Sequence, residues 1–390
     1  MRLKHNLHLA YGTNIHPGED WAQTFAALER YTLAVRERVC PGEPYAIGLR
    51  LGAQAALQLS EAAPRRSFQQ WLEEHQCYVF TINGFPYGRF HGTRVKEQVY
   101  RPDWTTRERL EYTNRLFDLL VQLLPEGVEG SVSTVPGSFK EFITGDAQVR
   151  AMRANLWACI EHIDELCRLH KKPLHLGLEP EPLCYLETST EVATFLEGMR
   201  ADRPKDQRLD EFLGVNYDAC HLAVEFETAA EVVRRFREFN IRISKLHLSS
   251  ALKVQPTRES CRALRAFTND TYLHQVIERR ADGGLTRYRD LDEALARNPD
   301  PEAQAGREWR IHFHVPLHSP LTPFFFQSTS DHLVGLLDEL QQDPALCSHL
   351  EMETYTWDVL PPELKQRTVV DQLTGEYDWT LARLRERGLA

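Results

Sequence analysis

Short apolar runs alternate with longer amphipathic stretches along most of the chain. The longer stretches carry apolar residues at three- and four-residue spacing, which predicts helices over residues 20–38, 105–124, 148–170 and 227–238. The short runs predict buried strands over residues 7–11, 45–50, 77–83, 130–134, 174–179, 213–217, 243–248 and 350–355. Because strands and helices alternate, the pattern indicates a parallel α/β fold.

Acids and histidines lie near the carboxyl ends of several of these strands: Glu179, Asp218 with His221, His247 and Glu353. A (β/α)8 barrel collects its catalytic groups at this face, so we predict a single TIM (β/α)8 barrel over residues 1–390. Two glutamates, an aspartate and a histidine also suit one divalent cation, which would offset the cost of burying the acids. An ordinary ion pair for Glu179 and a helix N-cap for Asp218 remain alternatives.

Residues 251–307 depart from the alternation. Asp282-Gly283-Gly284 separates two strand-like halves of a polar run, which predicts a β-hairpin. We interpret the segment as an insertion over the carboxyl-terminal face of the barrel, after its seventh strand. Residues 310–317 form a ninth strand candidate, which is either the eighth barrel strand or part of the insertion; we favour the insertion.

Further polar side chains near the strand ends are candidates for substrate contact. His221 lies one turn beyond Asp218 and could bind a substrate oxygen. Lys245 shares a strand face with His247 and could contact an anionic group. Loops after the first and third strands carry Asn14, His16 and Asn83, among glycines, prolines and aromatic residues that suit a small polar ligand.

His312 and His314 also share one strand face. They could form a second metal pair or a hydrogen-bonded layer, and we include His314 among the candidates for substrate binding.

Composition narrows the classes of function. The 390 residues are 42% hydrophobic with a formal net charge of −10 and no basic block, which argues against a nucleic-acid partner. The chain contains no run of about 20 apolar residues, so we expect no transmembrane helix. Its N-terminal stretch lacks an apolar core long enough for a signal peptide. The eight cysteines form no CxxC pair, which is typical of reduced cytoplasmic thiols. We therefore expect a cytoplasmic protein without membrane insertion. The sequence leaves open whether the protein forms a homo-oligomer.

The ordered set Glu179, Asp218-x-x-His221, His247 and Glu353 resembles the xylose-isomerase-like TIM-barrel superfamily, especially its sugar-epimerase and hydroxypyruvate-isomerase branches. The resemblance implies that Glu179, Asp218, His247 and Glu353 hold one divalent ion. It also implies that Glu179 and Glu353 exchange a proton with the substrate and that His221 contacts the substrate.

Over its whole length the chain is also similar to the EboE family, barrel proteins of bacterial metabolite-traffic gene clusters. This resemblance rests on the runs YGTNIHPGEDW, INGFPYGRFHG, GLEPEPLCYLE, DACHLAVEFE, TYLHQV, HFHVPLH and LEMETYTWDVLP. The hairpin and HFHVPLH depart from simple epimerases.

Our first hypothesis is an isomerase or epimerase of a small sugar-like or cyclitol-like polyol, dependent on one Mn²⁺, Co²⁺, Mg²⁺ or Zn²⁺ ion. Proton transfer would use Glu179 and Glu353, with a hydride shift as the alternative. The sequence contains no GxGxxG fingerprint, so it does not predict a bound nicotinamide or flavin cofactor. The second hypothesis is a phosphodiesterase or endonuclease with several zinc ions, to which His16, His312 and His314 would add ligands. The third is a non-enzymatic metabolite-binding protein.

Overall fold

The computed structural model describes residues 1–92, 94–269, 271–299, 305–318, 326–362, 365 and 367–390. Its strands are β1 His8–Gly12, β2 Tyr45–Arg50, β3 Cys77–Asn83, β4 Gly130–Thr134, β5 Leu174–Leu178, β6 Leu213–Asp218, β7 Arg242–Leu248, β8 Ala251–Val254, β9 Val276–Arg279, β10 Leu285–Tyr288, β11 Glu308–His314, β12 Gln327–Ser328 and β13 His349–Met352.

The α-helices are α1 Trp21–Ala27, α2 Leu33–Val39, α3 Ala53–Leu59, α4 Ala62–Glu74, α5 Arg107–Leu123, α6 Asp146–His170, α7 Ser189–Asp202, α8 Arg208–Phe212, α9 Ala219–Val224, α10 Ala229–Glu238, α11 Arg258–Leu264, α12 Leu291–Arg297, α13 Ser330–Gln342 and α14 Val369–Glu386. A π-helical stretch, Leu28–Thr32, joins α1 to α2.

A closed parallel barrel forms the centre of the molecule, with the strand order β1-β13-β7-β6-β5-β4-β3-β2. Its strands are buried almost throughout, because the pore side and the helix-covered side both exclude water. The prediction of a TIM barrel is therefore confirmed. The predicted strands agree with the observed ones to within a few residues, and the main difference is that β5 and β13 end earlier than expected. Glu179 and Glu353 consequently lie just beyond their strands.

The barrel interior is unusually polar. TIM-barrel interiors are mostly filled with branched apolar side chains, whereas here buried histidine, lysine, glutamate and serine side chains from several strands face one another. Gly48 is required by this arrangement, because a Cβ at that position would lie 2.0 Å from Oε1 of Glu351. The interior thus carries charges and hydrogen-bonding groups below the site as well as at it.

A second sheet lies between β7 and β13 in the chain, with the order β10-β9-β11-β8-β12 and antiparallel pairing. The predicted hairpin is present as β9 and β10, closed by a turn in which Gly283 adopts a φ of +83°. Of the strand candidate over residues 310–317, residues 310–314 belong to this sheet as part of β11, and β13 is the eighth barrel strand. Residues 270 and 300–304 of the expected 251–307 insertion lie outside the described residues.

The second sheet has its own apolar core, which includes Leu252, Phe267, Trp309 and Phe313. Arg287 of β10 also ties this sheet to the loops above the barrel. Its Nη2 lies 2.5 Å from Oε2 of Glu225, and its Nε lies 2.6 Å from Oε1 of Glu187. Both acids are buried, so salt screens these ion pairs less than surface pairs, and they help to fix the position of the hairpin.

Of the helices that the structure describes, none has both the length and the apolar composition needed to cross a membrane. All eight cysteines are free thiols.

We predict a pH-dependent loss of stability from Glu376 on α14. This carboxyl is fully buried, accepts hydrogen bonds from Thr354 and Gln372, and has no lysine or arginine partner among the described residues. Burial raises its pKa from 4.5 to about 7. The folded state therefore favours the neutral acid, and the free energy of unfolding should fall as the pH rises from about 4.5 to 7.

Glu376→Gln should abolish this fall in the free energy of unfolding, which amounts to about 1–3 kcal/mol over that pH range. Urea unfolding of both proteins at acidic and at mildly alkaline pH measures it. Equal pH slopes for the two proteins would contradict the assignment.

Candidate metal centre

Four buried side chains meet at the carboxyl end of the barrel: Glu179, Asp218, His247 and Glu353. One ligand-type atom from each lies within 4.8 Å of the others. Glu179 follows β5, Asp218 ends β6, His247 lies in β7 and Glu353 follows β13. Parallel strands of a barrel end at one face, and this brings together residues that are far apart in the chain.

His247 lies at the centre of the cluster. Its Nδ1 is 3.2 Å from Oε1 of Glu179 and 3.3 Å from Oδ2 of Asp218, and it also contacts Oε2 of Glu353. Its other ring nitrogen, Nε2, is 3.2 Å from Oε2 of Glu351. One side of the imidazole therefore faces three carboxylates, while the other side faces a fourth.

The Asp218 carboxylate divides its two oxygens between two tasks. Oδ1 accepts hydrogen bonds from the backbone N–H groups of Cys220 (2.7 Å) and His221 (3.1 Å), and from Oγ of Ser249 (2.6 Å). The N-cap of α9, which the sequence left as an alternative, is therefore present. Oδ2 lies near His247 and stays available to a metal ion, so capping of α9 does not compete with metal binding.

The donor set fits a divalent cation. Oε2 of Glu179, Oδ2 of Asp218 and Oε2 of Glu353 are buried without a hydrogen bond from any described residue. Buried carboxylate oxygens without partners are costly, and a cation is the partner that would satisfy all three at once. Carboxylate oxygens with one imidazole nitrogen suit Mg²⁺, Mn²⁺, Co²⁺ or Zn²⁺.

The same crowding shifts the proton equilibria. Burial raises the pKa of Glu353 to about 7, and the nearby Glu179 and Asp218 add to this effect, while His247 opposes it. Burial would lower the pKa of His247, but Glu353 and Glu179 outweigh it and hold that pKa well above 6.5. The cluster therefore attracts positive charge, as protons or as a metal ion.

Glu351 orients His247 from below. Its Oε2 also lies 2.5 Å from Nζ of Lys245, which in turn donates to Oγ of Ser133 (3.1 Å). Burial opposes ionisation of Glu351, yet Lys245 and His247 together lower its pKa to about 2. A carboxylate on the far nitrogen of a metal-binding histidine fixes the ring and raises its basicity. In the sequence Glu351 and Glu353 alternate with Leu350 and Met352, which indicates a shared strand face but not that the two carboxylates lie at different depths.

A cavity lies above the acids. It is lined by Asn14, Asn83, Phe85, Pro86, Phe90, Lys96, Val99, Tyr100, Glu179, Glu181, His221, Tyr272, Leu273, His312, Glu353 and Tyr355. Three of the predicted substrate-contacting residues, Asn14, Asn83 and His221, are therefore in its wall. Nδ2 of Asn14 donates to Oε1 of Glu353 (2.7 Å), and Nδ1 of His221 lies 3.1 Å from the carbonyl of Pro180.

Three other candidates lie elsewhere. The ring of His16 stacks on Tyr31 at 4.3 Å and lines a different depression. Lys245 lies within the barrel against Glu351. His314 is not in the cavity wall, but its Nε2 is 3.4 Å from Nε2 of His221, and these two histidines with Asp218 form a further group whose ligand-type atoms lie within 4.8 Å of one another.

Sequence reasoning missed a polar network in the cavity wall. Tyr100 donates to Oε1 of Glu181 (2.5 Å), Gln275 donates to Tyr100 (2.8 Å), and the Gln275 amide oxygen lies 2.8 Å from Nδ1 of His312. Burial raises the pKa of Glu181 to about 7. Glu181 follows Glu179 by two residues in LEPEP, so the sequence does carry a signal for this acid. Tyr100 carries no such signal, because it ends a short 3-10 helix, Lys96–Tyr100, that follows no strand directly.

Comparison with known proteins supports the architecture. A xylose isomerase-like TIM barrel protein from Mycobacterium smegmatis, solved in complex with magnesium, has 13% identity, covers 99% of both chains and gives a TM-score of 0.51. A D-tagatose 3-epimerase-like protein has 10% identity, covers 98% of both chains and gives a TM-score of 0.50. No protein-family model and no curated protein matches the chain. The likeness shows that the chain shares the TIM-barrel fold of these two proteins.

We predict that metal removal destabilises the protein. An ion that binds only the folded state adds about 3 kcal/mol when its free concentration is about 100 times its Kd. Chelator should therefore lower the Tm. Glu179→Gln should shrink that difference, because it weakens ion binding and also relieves repulsion between the acids.

Thermal unfolding with and without chelator, backed by elemental analysis, tests this. Glu181→Gln, a nearby acid outside the four-residue set, is the matched control and should keep the metal dependence. A wild-type melting curve that ignores chelator would argue against an ion at this cluster.

We also predict that Glu351→Gln weakens metal binding by about 10- to 100-fold, although Glu351 lies outside the four-residue set. The amide would no longer hold His247 as a carboxylate does. Isothermal titration with Mn²⁺ measures the Kd. An unchanged Kd would mean that Glu351 serves only to neutralise Lys245.

Proposed function

We propose that the protein is a divalent-metal-dependent isomerase or epimerase that moves a proton at a carbon next to a carbonyl in a small sugar-like or cyclitol-like polyol. The observation that carries this proposal is that Glu179 and Glu353 both line one cavity and both belong to the four-residue metal-binding set. Two carboxylates that reach the same substrate can remove a proton from one position and return it to another.

A divalent ion held by Glu179, Asp218, His247 and Glu353 would polarise a substrate carbonyl and the adjacent hydroxyl. Glu353 is placed to exchange a proton with a substrate, since it lines the cavity and is buried away from bulk water. The hydrogen bond from Asn14 fixes Oε1 of Glu353 and so holds the carboxylate at the cavity wall. His221, held by the carbonyl of Pro180, would bind a substrate oxygen.

The cavity wall favours an uncharged substrate. Aromatic and aliphatic side chains form much of it and would exclude water during proton transfer. Lys96 is the one lysine or arginine among the described residues that line the cavity, and its Nζ already lies 2.6 Å from Oδ2 of Asp290. A phosphate group would therefore find little free positive charge there, whereas Asn14, Asn83 and His221 suit hydroxyl groups.

Two resemblances give the proposal a context. The solved neighbours include a magnesium complex and a protein named for its likeness to D-tagatose 3-epimerase. From the likeness to the EboE family, we further propose that the polyol is a metabolite of a traffic gene cluster and that the protein acts in the cytoplasm.

A second candidate is metal-dependent hydrolysis of a phosphodiester. It is favoured by one observation, the approach of His221 and His314 to Asp218 beside the four-residue set, which could extend the site to several ions. The net charge of −10 and the shortage of free cations in the cavity weigh against it.

We predict deuterium uptake at a carbon next to the carbonyl when metal-loaded protein is incubated with ketoses, aldoses or cyclitol ketones in deuterated water. Glu353→Gln should slow the exchange by about 100-fold or more, the usual effect of losing a general acid–base group. Nuclear magnetic resonance follows the exchange.

Glu376→Gln is the matched control, because Glu376 is equally buried with a pKa raised to about 7 but does not line the cavity. Exchange that survives Glu353→Gln would remove Glu353 from the mechanism. Turnover with full retention of hydrogen would indicate a hydride shift, and cleavage of a phosphodiester would favour the second candidate.

A further inference from the structure

A second cluster of metal-ligand type lies at the opposite, amino-terminal end of the barrel. It consists of Glu129, which precedes β4, His175 in β5 and His349 at the start of β13. One ligand-type atom of each residue lies within 4.8 Å of the others. None of the three takes part in the proposed reaction, and the cluster is separated from the carboxyl-terminal site by the layer that contains Lys245 and Glu351.

His349 is held in the orientation that metal binding requires. Its Nδ1 lies 2.8 Å from Oγ of Ser131, and that hydroxyl in turn donates to Oγ1 of Thr81 (2.8 Å). In the tautomer in which Ser131 accepts a hydrogen bond from Nδ1–H, Nε2 carries the lone pair. Nε2 is buried and has no hydrogen-bonding partner among the described residues. An imidazole fixed at one nitrogen and free at the other is the usual state of a histidine ligand.

His175 is the stronger sign of a missing partner. Both of its ring nitrogens are buried without a hydrogen bond from any described residue, and only 1% of the residue is exposed. An imidazole buried in this way loses hydrogen bonds to water and regains none, which is costly and rare. The ring centroids of His175 and His349 are 5.2 Å apart, so one ion could reach both.

Glu129 supplies the charge and the access. Its Oε1 lies 3.6 Å from Nε2 of His175, and the residue lines a surface depression together with Leu174 and Arg242. Arg242 forms an ion pair with the same carboxylate and competes with a bound cation, but its side chain is 31% exposed and can turn towards solvent. A cation could therefore enter from this face and find the two imidazoles behind the carboxylate.

We propose that Glu129, His175 and His349 bind a second divalent transition-metal ion, of the Zn²⁺, Co²⁺ or Fe²⁺ class. Two imidazoles and one carboxylate match these ions better than Mg²⁺ or Ca²⁺, which prefer oxygen ligands. The ion would link β5 to β13, which are separated in the barrel by β6 and β7, and so brace the barrel from inside. This role is structural and independent of the proposed reaction.

The test uses full-length protein stripped of metal and titrated with Co²⁺, with absorption spectra, equilibrium dialysis and Tm as readouts. Glu179→Gln with Asp218→Asn provides a background in which the carboxyl-terminal site is disabled. This background should still bind one Co²⁺ ion per chain, with imidazole-type d–d bands and a raised Tm. Adding His175→Gln should abolish binding. A background that binds no Co²⁺, or that keeps its Kd after His175→Gln, would overturn the proposal.

A gentler pair of variants guards against a folding defect in His175→Gln. On the same background, Ser131→Ala removes the group that orients His349 and should raise the Kd for Co²⁺ by about 10- to 100-fold. Ser133→Ala is its matched control, because Ser133 contacts Lys245 in the layer above, and it should leave the Kd unchanged. Equal Kd values for the two serine variants would contradict the ligand geometry.

Discussion

The concentration of buried negative charge at the carboxyl end of the barrel is the constraint on which the rest of the site depends. Glu179, Asp218 and Glu353 approach one another around His247, and each has an oxygen without a hydrogen bond from the described residues. Repulsion of this kind persists in a folded protein only if something positive offsets it. The raised pKa values of His247 and Glu353 have the same cause, because the buried negative charge favours a bound proton on each of them.

Side chains below and above the four-residue cluster support this buried negative charge in different ways. Below the site, Lys245 neutralises Glu351, and Glu351 faces the far nitrogen of His247. Above the site, the sheet formed by β8 to β12 contributes His312 to the cavity wall, and the segment before β9 contributes Tyr272 and Leu273. This cover makes the cavity less polar and so strengthens each electrostatic interaction within it. The insertion therefore both covers the cavity and supplies side chains to its wall.

Much of the fold could be predicted because its signals are local. Alternating apolar runs and amphipathic stretches indicated the barrel, and Asp282-Gly283-Gly284 indicated the hairpin, which the pairing of β9 with β10 confirms. The helices α11 and α12 within the insertion had no strong periodic signal and were not predicted. The metal and substrate roles of individual side chains stay predictions, although the cluster they require is present.

The sequence by itself determined which residues stand at the carboxyl ends of the strands, since strand order and the barrel rule bring Glu179, Asp218, His247 and Glu353 to one face. Tertiary structure alone decided the depth and direction of each side chain. It turned His16 towards Tyr31, placed Lys245 and Glu351 one layer below the site, and brought Glu129, His175 and His349 together. The physical reason is that strand periodicity fixes only the face of a side chain, whereas barrel closure and register fix which strands face one another across the interior.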